Sequence, residues 1–328
     1  MYSIRRLFNP EIFQGKYKRN NYFEGWYYKV IDKSFENILA IIPGIAISSN
    51  KSHSFIQINE AKNMQTRFLT FPTQAFSYSE EVFDISLEDN HFNKSGFSLR
   101  LKIPDFSLEG TVELKDNLPF PKSLTSPGIM GPYSFVPFME CHHGIINIHS
   151  KLKGGLKFNN RYIDFSDGYG YLEKDWGRSF PHSWIWIQSN NFSDEGVSLM
   201  FSVAAIPWLR REFDGLIAFL KIGKSFYRFA TYTGAKIKEL TKSKENINIF
   251  VEDSKYLLSL EVWGSEGGTL KAPKKGLMEV DISESITSKV KVKLTEKSGK
   301  LIYQDIGLNT GLELAGNYSR FLTGKTEL

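Results

Sequence analysis

The sequence predicts an all-β protein built as two antiparallel β units in a duplicated arrangement with few short helices, and three observations predict it. Apolar and polar residues alternate with period two in SFIQINE (54–60), VFDISLE (82–88), GFSLRLKI (96–103), LEGTVEL (108–114) and IINIH (145–149). The same alternation returns in INIFVE (247–252), YLLSLEVW (256–263), LMEVDIS (277–283) and KVKVKL (289–294). Each run is bounded by Gly, Pro, Asn, Asp or Ser, the punctuation of half-buried strands. The second observation is an aromatic content of 14%, with 26 Phe and 15 Tyr, residue types that favour strands and apolar pockets. The third is the scarcity of helical periodicity, confined to AKIKELTKS after Gly234 and to one turn around Pro207 to Phe213.

Taken in order, YFEGWYYKV (22–30) opens a first meander, with an acid and a glycine placed before a tryptophan. The stretch DNLPFPKSLTSPGIMGPYSFVPF (116–138) carries five of the twelve prolines and cannot be a central strand. Its Phe120, Ile129, Met130, Tyr133, Phe135 and Phe138 are too apolar for a solvated linker, so it reads as an ordered excursion that serves a site. EKDWG with HSWIWIQ (173–188) faintly echoes the opening motif and starts the second strand set. The expected division is a first unit over 1–150 and a second over 151–328. A Gly-x-Trp start to a meander is also how lipocalin-like barrels begin, and such barrels enclose a ligand cavity.

Composition narrows the function. The net charge of +5 is mild and the lysines are scattered, with no basic stripe of the kind that tracks a phosphate backbone; nucleic acid is not an expected partner. A single cysteine rules out an internal disulfide and any two-cysteine metal motif. The opening residues hold no apolar run of signal-peptide length, and no segment approaches the roughly 18 apolar residues of a membrane helix. A cytoplasmic protein is the expectation.

The densest chemistry lies in GYGYLEKDWGRSFPHSWIWIQSNNF (168–192). Strand parity puts Tyr169, Tyr171, Glu173 and Asp175 on one face and Leu172, Lys174 and Trp176 on the other. It likewise groups Trp184, Trp186 and Gln188 against Ile185 and Ile187, so that strand is apolar on both faces and should be central or lie between layers. A carboxylate beside tryptophans loses solvation and becomes a general acid near neutral pH. The alternative is a structural ion-pair cluster of Glu173, Lys174, Asp175 and Arg178 at a strand end. His182, after a proline, is a turn residue or a site residue. Glu24 shares parity with Trp26 and Tyr28 and either enters the same cavity or forms a strand-edge salt bridge. In MECHHG (139–144) the adjacent His142 and His143 point to opposite faces, and no second ligand cluster follows, so no metal is expected. Glu140 or His142 is better suited to orient the polar head of a ligand.

FEGWYYKV (23–30), PGIMGPYSFVPFMECHHGI (127–145), the 168–192 stretch and LNTGLELAGN near the C-terminus resemble the tocopherol cyclase family. That resemblance implies a lipocalin-like, duplicated β architecture shared with carotenoid hydratases. It also implies an acid-catalysed closure of a prenylated hydroquinone to a chromanol, with no metal and no redox cofactor. The expected catalytic set is Asp175 ahead of Glu173 as acid, His182 as partner or phenol base, and Glu24. Trp26, Trp176, Trp184 and Trp186 would wall an apolar pocket near the junction of the halves, closed by Tyr133 and Phe135, with Glu140 and His142 at the polar head. The expected partner is a hydrophobic small molecule, with transient contact at a membrane surface left open. Two rivals use the same aromatics without a poised acid: a lipid carrier of the lipocalin type, and a β-sandwich that binds sugar on exposed tryptophans.

Overall fold

The computed structural model describes residues 2–136, 139–208 and 211–323, and regular structure among them is almost entirely β. A short helix, α1 (Tyr2–Phe8), precedes the first strand. The first sheet has 12 strands. They are β1 (Tyr22–Ile31), β2 (Ile38–Ile47), β3 (His53–Glu60), β4 (Gln65–Phe71), β5 (Phe76–Tyr78), β6 (Asp84–Leu87), β7 (Asn90–Asn93), β8 (Gly96–Ile103), β9 (Phe106–Pro119), β10 (Cys141–Phe158), β11 (Arg161–Asp164) and β12 (Tyr169–Gly177). Their order is β4-β3-β2-β1-β12-β10-β9-β8-β7-β6-β5, with β11 paired to β10. β12 therefore joins two meanders, antiparallel to β1 on one side and to β10 on the other. Phe71 of β4 shares one apolar core with Phe76 of β5 and Ile85 of β6, so the two ends of the sheet curl toward each other into a nearly closed barrel.

The second sheet has 10 strands. They are β13 (Ser183–Ser189), β14 (Ser198–Trp208), β15 (Arg211–Ile222), β16 (Ser225–Ala230), β17 (Lys236–Lys242), β18 (Ile247–Glu252), β19 (Tyr256–Trp263), β20 (Gly268–Lys274), β21 (Leu277–Glu296) and β22 (Leu301–Gly316). The order is β16-β15-β14-β13-β22-β21-β19-β18-β17, with β20 on β21. Its core is separate: Ile185 and Ile187 of β13 pack with Phe229 of β16 and Leu240 of β17. As parity predicted, β13 is central, and all of its residues are buried. No helix among the described residues is long and apolar enough to cross a membrane, which says nothing of strands.

Three local expectations are corrected. The chain divides after Phe180 rather than near 150, with Leu270–Asp281 joined to the first unit. The reason is pairing: β1 would be left with an open edge, and β10 with β12 closes it. AKIKELTKS forms β17, not a helix; a bulge between Ile237 and Glu239 turns both Ile237 and Leu240 toward the core. A bulge thus gives a strand the three-residue spacing of a helix. In place of the expected helical turn, Pro207 and Trp208 end β14 and pair with Glu212 and Arg211 of β15. The excursion contributes the end of β9 and a 3-10 turn, Gly131–Phe135, and buries Phe120, Ile129 and Met130; Phe138 lies outside the described residues.

Candidate active site

β12 has two chemically distinct faces. On the barrel side, Lys174 sits opposite Trp26 and Trp176 opposite Glu24. Lys174 and Glu24 form an ion pair with no solvent exposure on either side chain. Lys174 Nζ donates to the carbonyls of Pro10 and Ile12, both at 2.7 Å. Glu24 accepts the Tyr22 hydroxyl at 2.5 Å and the backbone N–H of Gln14 at 2.9 Å. The Lys174 amine lies 4.6 Å from the Trp26 ring centre and 5.0 Å from that of Trp176. Burial pulls the Lys174 pKa down to about 8, against the opposing pull of Glu24. With its partners so arranged, this pair fastens the 10–14 segment to the barrel, and Glu24 lies on the opposite face of the sheet from Asp175.

The other face carries Tyr171, Glu173 and Asp175, and the register sets His143 of β10 directly beside Asp175. His143 Nδ1 lies 2.9 Å from Asp175 Oδ1, and its Nε2 lies 3.5 Å from Glu173 Oε2. The buried Tyr171 hydroxyl donates to Glu173 Oε2 at 2.6 Å. Burial, then Glu173, hold the Tyr171 phenol well above its ordinary pKa, so it stays a donor. Side-chain exposure grows along the run, 5% at Glu173, 14% at His143 and 22% at Asp175, which makes Asp175 the member open to a reactant. His143, Glu173 and Asp175 offer ligand atoms within 4.8 Å of one another, a set that could hold a metal ion. As placed, however, the two ring nitrogens address different carboxylates from opposite sides of the imidazole. That geometry suits passing a proton along the run better than gathering all three residues on one ion.

The remaining expected site residues are distributed differently from the sequence reading. His182 belongs to the second unit, where it meets Glu212 at 3.3 Å and Arg320 at 3.3 Å. The place expected for it beside Asp175 is taken by His143. Trp184 and Trp186 also belong to the second unit, on the face of β13 opposite Ile185 and Ile187, and Trp184 Nε1 donates to Glu313 at 2.5 Å. Trp26 is a core residue: it stacks on Phe83 at 5.4 Å and donates to the Glu11 carbonyl at 2.8 Å. Of the four tryptophans expected in one pocket, Trp26 and Trp176 thus belong to the first unit and Trp184 and Trp186 to the second. Glu140 contributes its backbone carbonyl to the N–H of Arg178 at 2.7 Å.

One half-open cavity of about 240 Å³ lies in the first unit. Pro10, Gln14, Met130, Ser134, His142 and Trp176 are among its walls. The excursion thus reaches a cavity through residues adjacent to the expected Tyr133 and Phe135; Phe135 is exposed and meets Phe8 edge-on at 6.4 Å. His142 stacks on Trp176 with ring centres 5.2 Å apart and planes 10° apart.

A family model described as tocopherol cyclase-like matches residues 114–316, which include His143, Tyr171, Glu173 and Asp175. A probable chloroplastic tocopherol cyclase of Oryza sativa subsp. japonica is 28% identical over 195 residues, 55% of this chain and 40% of that protein. The chloroplastic tocopherol cyclase of Zea mays is 29% identical over 166 residues, 46% of this chain and 32% of that one. The matches thus span less than half the length of these curated relatives. Among solved structures, kievitone hydratase from Nectria haematococca superposes with a TM-score of 0.51 at 10% identity, covering 93% of this chain and 94% of its own. CghA bound to Sch210972 gives 0.53 at 8% identity, covering 90% and 88%. At such identities these likenesses establish the fold.

Proposed function

The chain belongs to the tocopherol cyclase-like family, and from that premise we propose that it is an enzyme that closes a prenylated hydroquinone to a chromanol by protonating a prenyl double bond. The observation that carries this reading is the run of Tyr171, Glu173, His143 and Asp175 on one face of β10 and β12, hydrogen-bonded between Tyr171 and Glu173 and between His143 and Asp175, with His143 and Glu173 in ion-pair range at 3.5 Å.

Asp175, the most exposed member, delivers the proton to the less substituted alkene carbon, which leaves a tertiary cation. The neighbouring phenol oxygen attacks that cation, and the C–O bond closes the ring. The phenol proton then returns to the cluster, where His143, reaching both carboxylates, carries it back to Asp175. Every proton spent is recovered, so the net change is an isomerisation. Glu173, nearly sealed from solvent and bonded to Tyr171, orients the imidazole and offsets its charge while it is protonated.

The test is chromanol formation from a prenylated hydroquinone, with ligand retention measured separately. Asp175→Asn keeps the shape and removes the acid, so turnover should fall by about 10²–10⁴ while retention survives. Full turnover in Asp175→Asn would move the acid to Glu173. Retention of the hydroquinone with no turnover by the unmutated protein would leave the carrier reading, and a tertiary alcohol in place of the chromanol would mean that water, not the phenol, captures the cation.

A further inference from the structure

We propose that the cavity behind β12, on the opposite face from the acid cluster, is a second binding site, and that it takes a small apolar molecule bearing one hydroxyl group. This proposal does not depend on the reaction assigned to Asp175.

His142, His143, Gly144 and Trp176 all line this cavity, but strand parity turns the His142 and Trp176 rings to one face of the two strands and the His143 and Asp175 side chains, which meet each other, to the other. The two sites thus share His143 but draw on opposite faces of β12. The cavity volume is about 240 Å³, and dry cavities of roughly 150 Å³ already accept a benzene ring. Met130, Pro10 and Trp176 supply apolar and polarisable walls. The polar end is defined by His142, whose Nδ1 is sealed from solvent and has no hydrogen-bond partner. A buried nitrogen left in that state is costly, and a ligand that bonds to it recovers the loss. Burial, helped by Lys18 and Lys174, lowers the His142 pKa to about 4, so the imidazole is neutral at physiological pH. A neutral imidazole offers either a donor or an acceptor at Nδ1 according to its tautomer, and a hydroxyl can answer both. A carboxylate could answer only the donor form, and an ammonium only the acceptor. Gln14, Ser134 and the buried Arg6, whose guanidinium donates to the Phe13 carbonyl, add further polar groups on the walls.

Gly128 gives a clean way to close the cavity. It lines the space, and a Cβ built on it meets nothing within 4 Å, so a larger side chain enters the void without displacing backbone. The experiment titrates the protein with phenol and with toluene, matched in shape but for the hydroxyl, following tryptophan fluorescence and calorimetry. The unmutated protein should bind phenol at least tenfold more tightly than toluene. His142→Phe keeps the stack on Trp176 and removes Nδ1, so the preference should vanish while toluene still binds. Gly128→Leu should abolish binding of both, and Asp175→Asn should leave both unchanged. Failure of the unmutated protein to bind phenol would mean that the cavity holds water only, and the proposal falls. Phenol binding that persists in Gly128→Leu, or that Asp175→Asn removes, would place the ligand elsewhere and overturn it equally.

Discussion

At Lys174 the chain buries a charged amine completely, and the surroundings show how it tolerates the cost: two carbonyls at 2.7 Å, the Glu24 carboxylate and two indole faces. Removing one member of such a pair leaves an uncompensated charge in the core. Lys174→Met should therefore lower unfolding free energy by about 3–5 kcal/mol in urea titrations. The double change Glu24→Gln with Lys174→Met removes both charges and should regain much of that loss; a double variant as unstable as the single one would show that the backbone bonds to Pro10 and Ile12, not the charge pair, matter most. Which face of β12 each residue occupies was legible from alternation alone. That Lys174 meets Glu24, and Asp175 meets His143, was not. Those meetings depend on the register of β12 against β1 and β10, and register is set by whole-strand pairing rather than by any local signal.

At the scale of elements, β12 ends at Gly177, and the ending positions Asp175 two residues earlier. Gly177 has φ of +153°, and a Cβ there would sit 2.2 Å from the Glu140 carbonyl oxygen. That same carbonyl accepts the Arg178 N–H at 2.7 Å as the chain leaves the sheet. Gly177→Ala should cost about 1–3 kcal/mol through backbone strain, read as a lower denaturation midpoint; an unchanged midpoint would mean that the strand end shifts freely. The breaker was visible in the sequence as a strand stop. The bulge in β17 was not, because an inserted residue mimics helical spacing and only the paired strand β18 reveals the extra residue.

At the scale of the whole molecule, buried titratable groups set how stability should follow pH. The folded state holds His142 near 4 instead of its ordinary 6.5, so the unfolded chain binds the extra proton between those values. Stability should accordingly be lost as pH falls from 6.5 toward 4, and His142→Phe should flatten that part of the profile. Lys174, at about 8 instead of 10.5, gives a contribution that rises with pH between those values. Tyr28 and Tyr171, held protonated by burial well above 10, oppose it in more alkaline solution because the unfolded phenols ionise first. Urea denaturation at pH 5, 7 and 9 measures these slopes; a profile for His142→Phe parallel to that of the unmutated protein between pH 5 and 7 would contradict the assignment. The sequence by itself determined the all-β class, the central place of β13, the two faces of β12 and the family, because alternation and short motifs are local properties of the chain. Only the tertiary structure decided where the first barrel ends, that His143 rather than His182 joins the two carboxylates, and that Trp26 and Trp176 belong to a different unit from Trp184 and Trp186. Those outcomes rest on which strands pair and in which register, and strand pairing joins residues far apart in sequence through backbone hydrogen bonds that carry no side-chain identity.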